Sequence, residues 1–221
     1  MTFTAIHTLS LREQVVEQIR TAIIEGRLKP NDHIVEAALT QKMGVSRTPV
    51  REALILLERE GLVIASPNRG FFVRAFTPDD VRHIFTMRIT LENFAAELVI
   101  DRLDESDFRH LNHLIDQQRQ EIDQDNFERA RSTDMAFHRH LIAASNHPLL
   151  ARSWGELVAQ VAALLHVRYA AQVMDEYQVI EDHRRIVAAY RARDLAAVMQ
   201  ANQEINARVM AECQLALRSQ R

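Results

Sequence analysis

Residues 44–59, GVSRTPVREALILLER, hold a helix stop, a helix start and a basic leading face within sixteen residues, and few folds can use that combination. Gly44 can take the positive φ that ends one helix. Ser46 can cap the next, and Pro49 falls in its first turn, where the missing N–H costs nothing. Arg47 and Arg51 are four apart and share one face at the N-terminal end of the new helix, while Ala53, Leu54, Leu56 and Leu57 supply the apolar side. Guanidinium groups then face outward and leucines inward. A guanidinium suits bidentate pairing with guanine O6 and N7 and contact with phosphate, although such a face taken alone also fits an ordinary solvated helix.

The flanks decide between the two. Upstream, LREQVVEQIRTAIIEGRLKP places Leu11, Val15, Ile19 and Ile23 at helical spacing, and Gly26 with Pro30 beyond predicts where that helix ends. A second short apolar stretch, IVEAALTQKMG, stops at Gly44. Downstream, GLVIAS and GFFVRAF are short β-branched and aromatic runs separated by Pro67, Asn68 and Arg69, a hairpin pattern. Three helices followed by a hairpin make a winged helix-turn-helix.

On these residues the segment 9–75 resembles the DNA-binding domain of GntR-type bacterial transcription regulators. LREQV, GRLKP, GVSRTPVREAL, GLV and NRGFFV follow the family's order, with Asn31 where the family usually has Gly and Met43 where it often has Leu. The resemblance implies that Ser46, Arg47, Thr48 and Arg51 contact double-stranded operator DNA from the recognition helix. It also implies that Asn68, Arg69 and Gly70 form a wing tip reaching the minor groove.

Length and composition leave room for a second domain. The chain has 221 residues, and its five Gly and five Pro favour long helices. Residues 1–75 carry ten Lys+Arg against eight Asp+Glu, a net +2, and the remainder carries −5, so positive charge is confined to the DNA-reading segment. One module of such modest charge argues for a homodimer, which doubles the phosphate contacts and sets two recognition helices about one DNA turn apart. No run of about 18 apolar residues could span a membrane. The start MTFTAIHTLS lacks the basic and apolar regions of a leader, so the expected location is cytoplasmic. Cys213 is the only cysteine, which excludes an intrachain disulfide and points to a small packed residue.

After Phe76 the pattern changes. Thr77-Pro78-Asp79-Asp80 is a helix start with a capping hydroxyl, proline at the first position and acids where the helix dipole favours them. Helices are predicted at 78–101, 105–123, 126–145, 148–171, 176–192 and 194–218. The expected fold class is mainly α: an N-terminal winged helix-turn-helix over residues 1–76, then an all-α antiparallel helical bundle over 77–221. Such bundles build ligand sites from inward side chains on facing helices.

The best candidate for such a site starts in STDMAFHRHLIAASNHPLL. Asp134 and His138 are four apart on one face, partly turned to the core by Phe137, Leu141 and Ile142, and His140 points elsewhere by phase. Two readings of the pair stand, an i,i+4 ion pair on a solvated face and two ligands of one divalent ion. His183, beside Ile180, Ile186 and Val187, is either a third ligand or a packed core histidine.

Residues 79–215 in turn resemble the all-helical FCD effector domain of the FadR subgroup, through MRITLENFAAELV, DMAFHRHLIAASNHPLL and EDHRRIVAAYRARDLAAVM. Six helices make it similar to the VanR-like variant. The resemblance implies a divalent metal, zinc by ligand type, on Asp134, His138, His183 and a fourth residue that is histidine in the family. Here the last helix, DLAAVMQANQEINARVM, has no histidine: an ungapped count puts Ile205 at that place, a one-turn slip puts Asn202 there, and Asn206 is close. The site is then either a metal held by three protein ligands with asparagine, water or effector as the fourth, or an ion-free polar pocket. Arg88 has two readings as well. It can pair with Glu92 on the bundle surface, or, as the resemblance implies, face the cavity and bind a small carboxylate effector. The resulting function is a ligand-responsive regulator, in the repressor sense most often met in the family. The alternative from another class is a metal-dependent hydrolase using the Asp/His/His group to activate water.

Overall fold

In the computed structural model residues 10–219 are described, so the opening stretch read above for a leader lies outside them apart from Ser10. The chain divides into two compact units, one ending at Ala75 and the other starting at Phe76.

In the first unit Ser10 caps α1 (Leu11–Ile24). Its hydroxyl accepts from the Glu13 N–H at 3.3 Å while the Glu13 carboxylate accepts from the Ser10 N–H at 2.7 Å, which satisfies two otherwise unmatched donors. After α1 come β1 (His33–Ile34), α2 (Glu36–Met43), α3 (Arg47–Arg59), β2 (Val63–Ser66) and β3 (Gly70–Val73). Val50, Ala53, Leu54 and Leu57 of α3 are fully buried, and α3 packs on α1 through Val15, Val16, Ile19 and Ile23. Arg20 of α1 reaches both carboxylate oxygens of Glu60 at the end of α3, with Nε 2.9 Å from Oε2, and ties the two helices together.

Two details differ from the sequence reading. Ile34 belongs to a strand rather than to the second helix: β1 pairs antiparallel with β3, His33 opposite Phe72 and Ile34 opposite Phe71, so the hairpin is part of a three-stranded sheet in the order β1-β3-β2. A strand of two residues is too short to leave an alternation pattern. Ser46 stands at the N-cap of α3, but its side chain makes no capping bond; the hydroxyl is exposed. Asn31, by contrast, takes the family's glycine place without strain on the fold, since it adopts φ 70° and asparagine is among the few side chains that tolerate the left-handed region.

The second unit is six helices: α4 (Pro78–Val99), α5 (Glu105–Asp123), α6 (Phe127–Ala144), α7 (Pro148–Ala170), α8 (Gln178–Arg191) and α9 (Leu195–Ser219). Each expected helix is present, its ends within two residues of the prediction. Thr77 and Asp80 form a reciprocal cap at α4, and Asp104 and Asp107 do the same at α5. The chain turns between helices at residues with positive φ, namely Asp125, Asn146, Gln172 and Arg193. α4 packs on α9 and α7, and α5 on α6 and α8. Two apolar groups fill the interior, one around Phe108, Leu111, Phe137 and Tyr190, the other around Phe85, Trp154, Leu164 and Cys213. α6 contributes to both, through Phe137 in one and Ile142 in the other, and it also buries Asp134 and His138.

Cys213 is fully buried, its thiol 3.7 Å from the Leu164 carbonyl oxygen, and burial pushes its pKa up to about 12. Native protein at pH 8 is therefore expected to resist iodoacetamide, while denatured protein takes up about one equivalent promptly; mass spectrometry reads the difference, and rapid labelling of native protein would contradict this packing.

Candidate functional site

The first unit presents a polar surface at the start of α3. Ser46, Arg47, Thr48 and Arg51 are all exposed there. The Arg51 side chain is 66% exposed and, among the described residues, is restrained only by Glu36 of α2, 3.4 Å away, so the guanidinium stands where a ligand could take it over. At the wing, Ser66 pairs with Gly70 and the tip Pro67–Arg69 is exposed, with Asn68 at φ 60°. The Arg69 guanidinium lies 5.3 Å from the centre of the Phe72 ring, which holds it along the sheet. Gly70 has φ 87°, a backbone conformation that favours glycine, and a Cβ there would stand 3.1 Å from His33 Nε2, so that ring would have to give by a few tenths of an ångström.

In the second unit the structure brings Asp134, His138 and His183 together, all buried, with one potential ligand atom from each within 4.8 Å of the others. α6 supplies the first two at adjacent turns and α8 the third. Behind them stand residues that the sequence did not reveal. Glu92 Oε1 accepts from His138 Nδ1 at 2.9 Å, and Gln118 Oε1 accepts from His183 Nδ1 at 3.0 Å. Each acceptor fixes its imidazole with the proton on Nδ1, leaving a lone pair on Nε2. Burial pushes the His183 pKa down to about 3, against the pull of Asp134, so this ring is neutral at physiological pH. Burial also opposes the charge of Glu92, but Arg88 and His138 beside it hold its carboxyl well below the usual range.

The two Nε2 atoms face each other at 3.4 Å, and His183 Nε2 lies 3.3 Å from Asp134 Oδ1. Two lone pairs and a carboxylate oxygen converge in a buried space, and Arg88 Nη2 lies 2.7 Å from His138 Nε2, so a metal would take that nitrogen over from the guanidinium. Ligands of a tetrahedral zinc ion at about 2.0–2.1 Å stand roughly 3.3–3.4 Å apart. The donor set, its spacing and its outer hydrogen bonds therefore fit a divalent metal.

Asn202 is not part of this group. It is buried, but its side-chain amide donates to Asn93 Oδ1 at 3.0 Å, because α9 turns this residue toward α4. Asn206 donates to Glu92 Oε2 at 2.9 Å and so supports His138 from behind, while Ile205, the ungapped position, lines the cavity. Among the described residues α9 adds no His, Cys, Asp or Glu to the cluster.

Arg88 unites its two readings. It pairs with Glu92, Nε to Oε1 2.8 Å, but the pair is buried rather than on the surface, and Nη2 donates to His138 Nε2 at 2.7 Å. It lines a cavity of about 70 Å³ together with Asp134, His138, His183, Arg168 and Arg208. Arg168 was missed in the sequence, as was Gln118. Each interrupts an apolar helical stripe, Val161-Leu164-Leu165-Arg168 on α7 and Leu111-Leu114-Ile115-Gln118 on α5, and a polar residue at a core phase was the available signal. His140, as its phase predicts, faces away and pairs with Asp107 at 2.9 Å.

Comparison with known proteins adds family evidence to this geometry. Residues 11–73 match the bacterial regulatory proteins of the gntR family, and residues 83–208 match the FCD domain. The chain belongs to the GntR family. Its FCD domain places it in the FadR-like group of these DNA-binding transcription regulators. This GntR-family chain is 30% identical over 195 residues to the uncharacterized HTH-type transcriptional regulator YdhC of Bacillus subtilis, covering 85% of the chain and 84% of the relative. It is 28% identical over 202 residues to the HTH-type transcriptional regulator McbR of Escherichia coli, covering 88% and 91%. The solved structure of E. coli McbR/YncC superposes with a TM-score of 0.79 at 25% identity, over 96% of this chain and 99% of that one. None of these relatives is named as a hydrolase, and that alternative gains no support. Among the described residues no helix is long and apolar enough to cross a membrane.

Proposed function

We propose that this GntR-family regulator works as a cytoplasmic homodimer on a palindromic operator, and that a small organic acid bound in the helical bundle governs its grip. Ser46, Arg47, Thr48 and Arg51 read the major groove, and Asn68, Arg69 and Gly70 reach the minor groove. Asp134, His138 and His183 hold a divalent metal, zinc by ligand type, and Arg88 anchors the effector's carboxylate. A metal bound there supplies a Lewis-acidic centre with coordination positions open to an effector oxygen. The chain's own residues do the rest: Glu92 and Gln118 orient the imidazoles, and Arg88 fixes the direction from which an anion enters.

One observation carries this reading: a buried guanidinium and three convergent ligand atoms line one cavity in a chain whose other unit exposes an arginine-led helix. The repressor sense is supported by a relative named as the gluconate operon transcriptional repressor of B. subtilis, 22% identical over 191 residues. An effector shifts DNA binding only through different affinities for two arrangements of the protein, and a tenfold shift needs about 1.4 kcal/mol of difference. The test is selection of DNA from a random pool by the full-length protein, followed by fluorescence anisotropy with carboxylic, sugar and aromatic acids. A palindromic consensus whose affinity changes at least about tenfold with one class of acid is expected. Equal affinity for selected and random DNA would overturn the regulator reading for this chain.

A further inference from the structure

The effector cavity contains a second buried guanidinium set up like the first. Arg168 of α7 is 6% exposed and Arg88 of α4 is 4% exposed, and both line the same cavity. In each, Nε is held by a glutamate: Arg88 by Glu92 at 2.8 Å and Arg168 by Glu212 of α9 at 2.5 Å. The glutamates fix the planes of the two forks. Beyond Nε, Arg88 uses Nη2 on His138, while no hydrogen bond from the described residues reaches Arg88 Nη1 or either terminal nitrogen of Arg168. Arg208, also in the wall, differs, because both its terminal nitrogens are taken by Asp182.

Terminal N–H donors of a cavity-lining guanidinium that meet no protein acceptor are open to a ligand, and a planar fork pairs best with a carboxylate. Two such forks in one cavity suit an anion with two carboxylates. The cavity suits a small one: at about 10–15 Å³ for each water-sized position, a volume of about 70 Å³ holds roughly five to seven such groups. We propose that Arg88 and Arg168 form a clamp for the two carboxylates of a short dicarboxylic acid, Arg168 being the residue that selects diacids over monoacids. This rests on the carboxylate-effector reading above and gives that reading a substrate class.

The full-length protein is titrated calorimetrically with malonate, succinate and butyrate, the last matching succinate in carbon number with one carboxylate fewer. Wild type is expected to bind at least one of the two diacids about tenfold or more tighter than butyrate, and Arg168→Gln to bring that ratio to about one. Arg168→Lys, which keeps the charge beside Glu212 but lacks the fork, is expected to fall between; it also serves if the glutamine variant does not fold. A diacid preference absent from wild type, or unchanged in the Arg168 variants, overturns the clamp and leaves the effector reading intact. No binding of any acid tested, in this titration or in the broader acid screen, overturns the effector reading and the clamp with it.

Discussion

Arg51→Ala is expected to lower affinity for the selected operator by roughly 30-fold or more, at about 1–3 kcal/mol for each good guanidinium contact and two copies in a dimer. Folding should be nearly untouched. The side chain is 66% exposed, and its ion pair to Glu36 at 3.4 Å is of the surface kind that contributes at most about 1 kcal/mol. Anisotropy titrations at several salt concentrations, with a thermal melt of each protein, separate the two effects. If Arg51 touches a base, discrimination between operator and random DNA collapses; if it touches phosphate only, affinity falls uniformly and the salt dependence becomes shallower. Unchanged operator affinity in the variant would remove Arg51 from the DNA interface.

The second large effect concerns the bundle. Protein purified without chelator or polyhistidine tag is expected to carry about one divalent ion per chain, zinc by ligand type, and His183→Ala to carry almost none, since removing one of three ligands leaves too few for a stable site. Asn202→Ala is the informative control. Its amide is engaged by Asn93, so metal content should not change. Gln118→Ala should weaken rather than abolish loading, about 10- to 100-fold in affinity, because it only orients His183. Elemental analysis and competition with a chromogenic chelator measure both. A metal-free wild type that still responds to an acid would reduce Asp134, His138 and His183 to polar walls of the pocket.

Much of this architecture was legible because it rests on local rules. The caps at Thr77 and Asp104 and the breaks at Asn146 and Arg193 act within a few residues, so the helices follow from adjacent sequence. The Asp134/His138 pair was legible for the same reason, being one turn apart. What stayed hidden depends on partners far along the chain. β1 exists only because β3, nearly forty residues later, gives it something to pair with. Glu92 looked like an exposed ion-pair partner because sequence spacing cannot say that α9 covers it through Asn206. The phase of Asn202 was a one-turn ambiguity that packing against α4 resolves. Arg168 was hidden among leucines, where a charge has meaning only once the cavity beside it is known.

The join between β1 and the wing has a further consequence. β1 lies between α1 and α2, and it is hydrogen-bonded to the strand that carries Gly70, whose missing side chain lets His33 close against the wing. The hairpin is thereby fastened to the same frame as α3 instead of hanging from it by its two ends. For a DNA reader this makes the span from recognition helix to wing tip a fixed ruler. On the proposed groove contacts, sequences would be sorted partly by whether their groove widths match its length, at base pairs that no side chain touches.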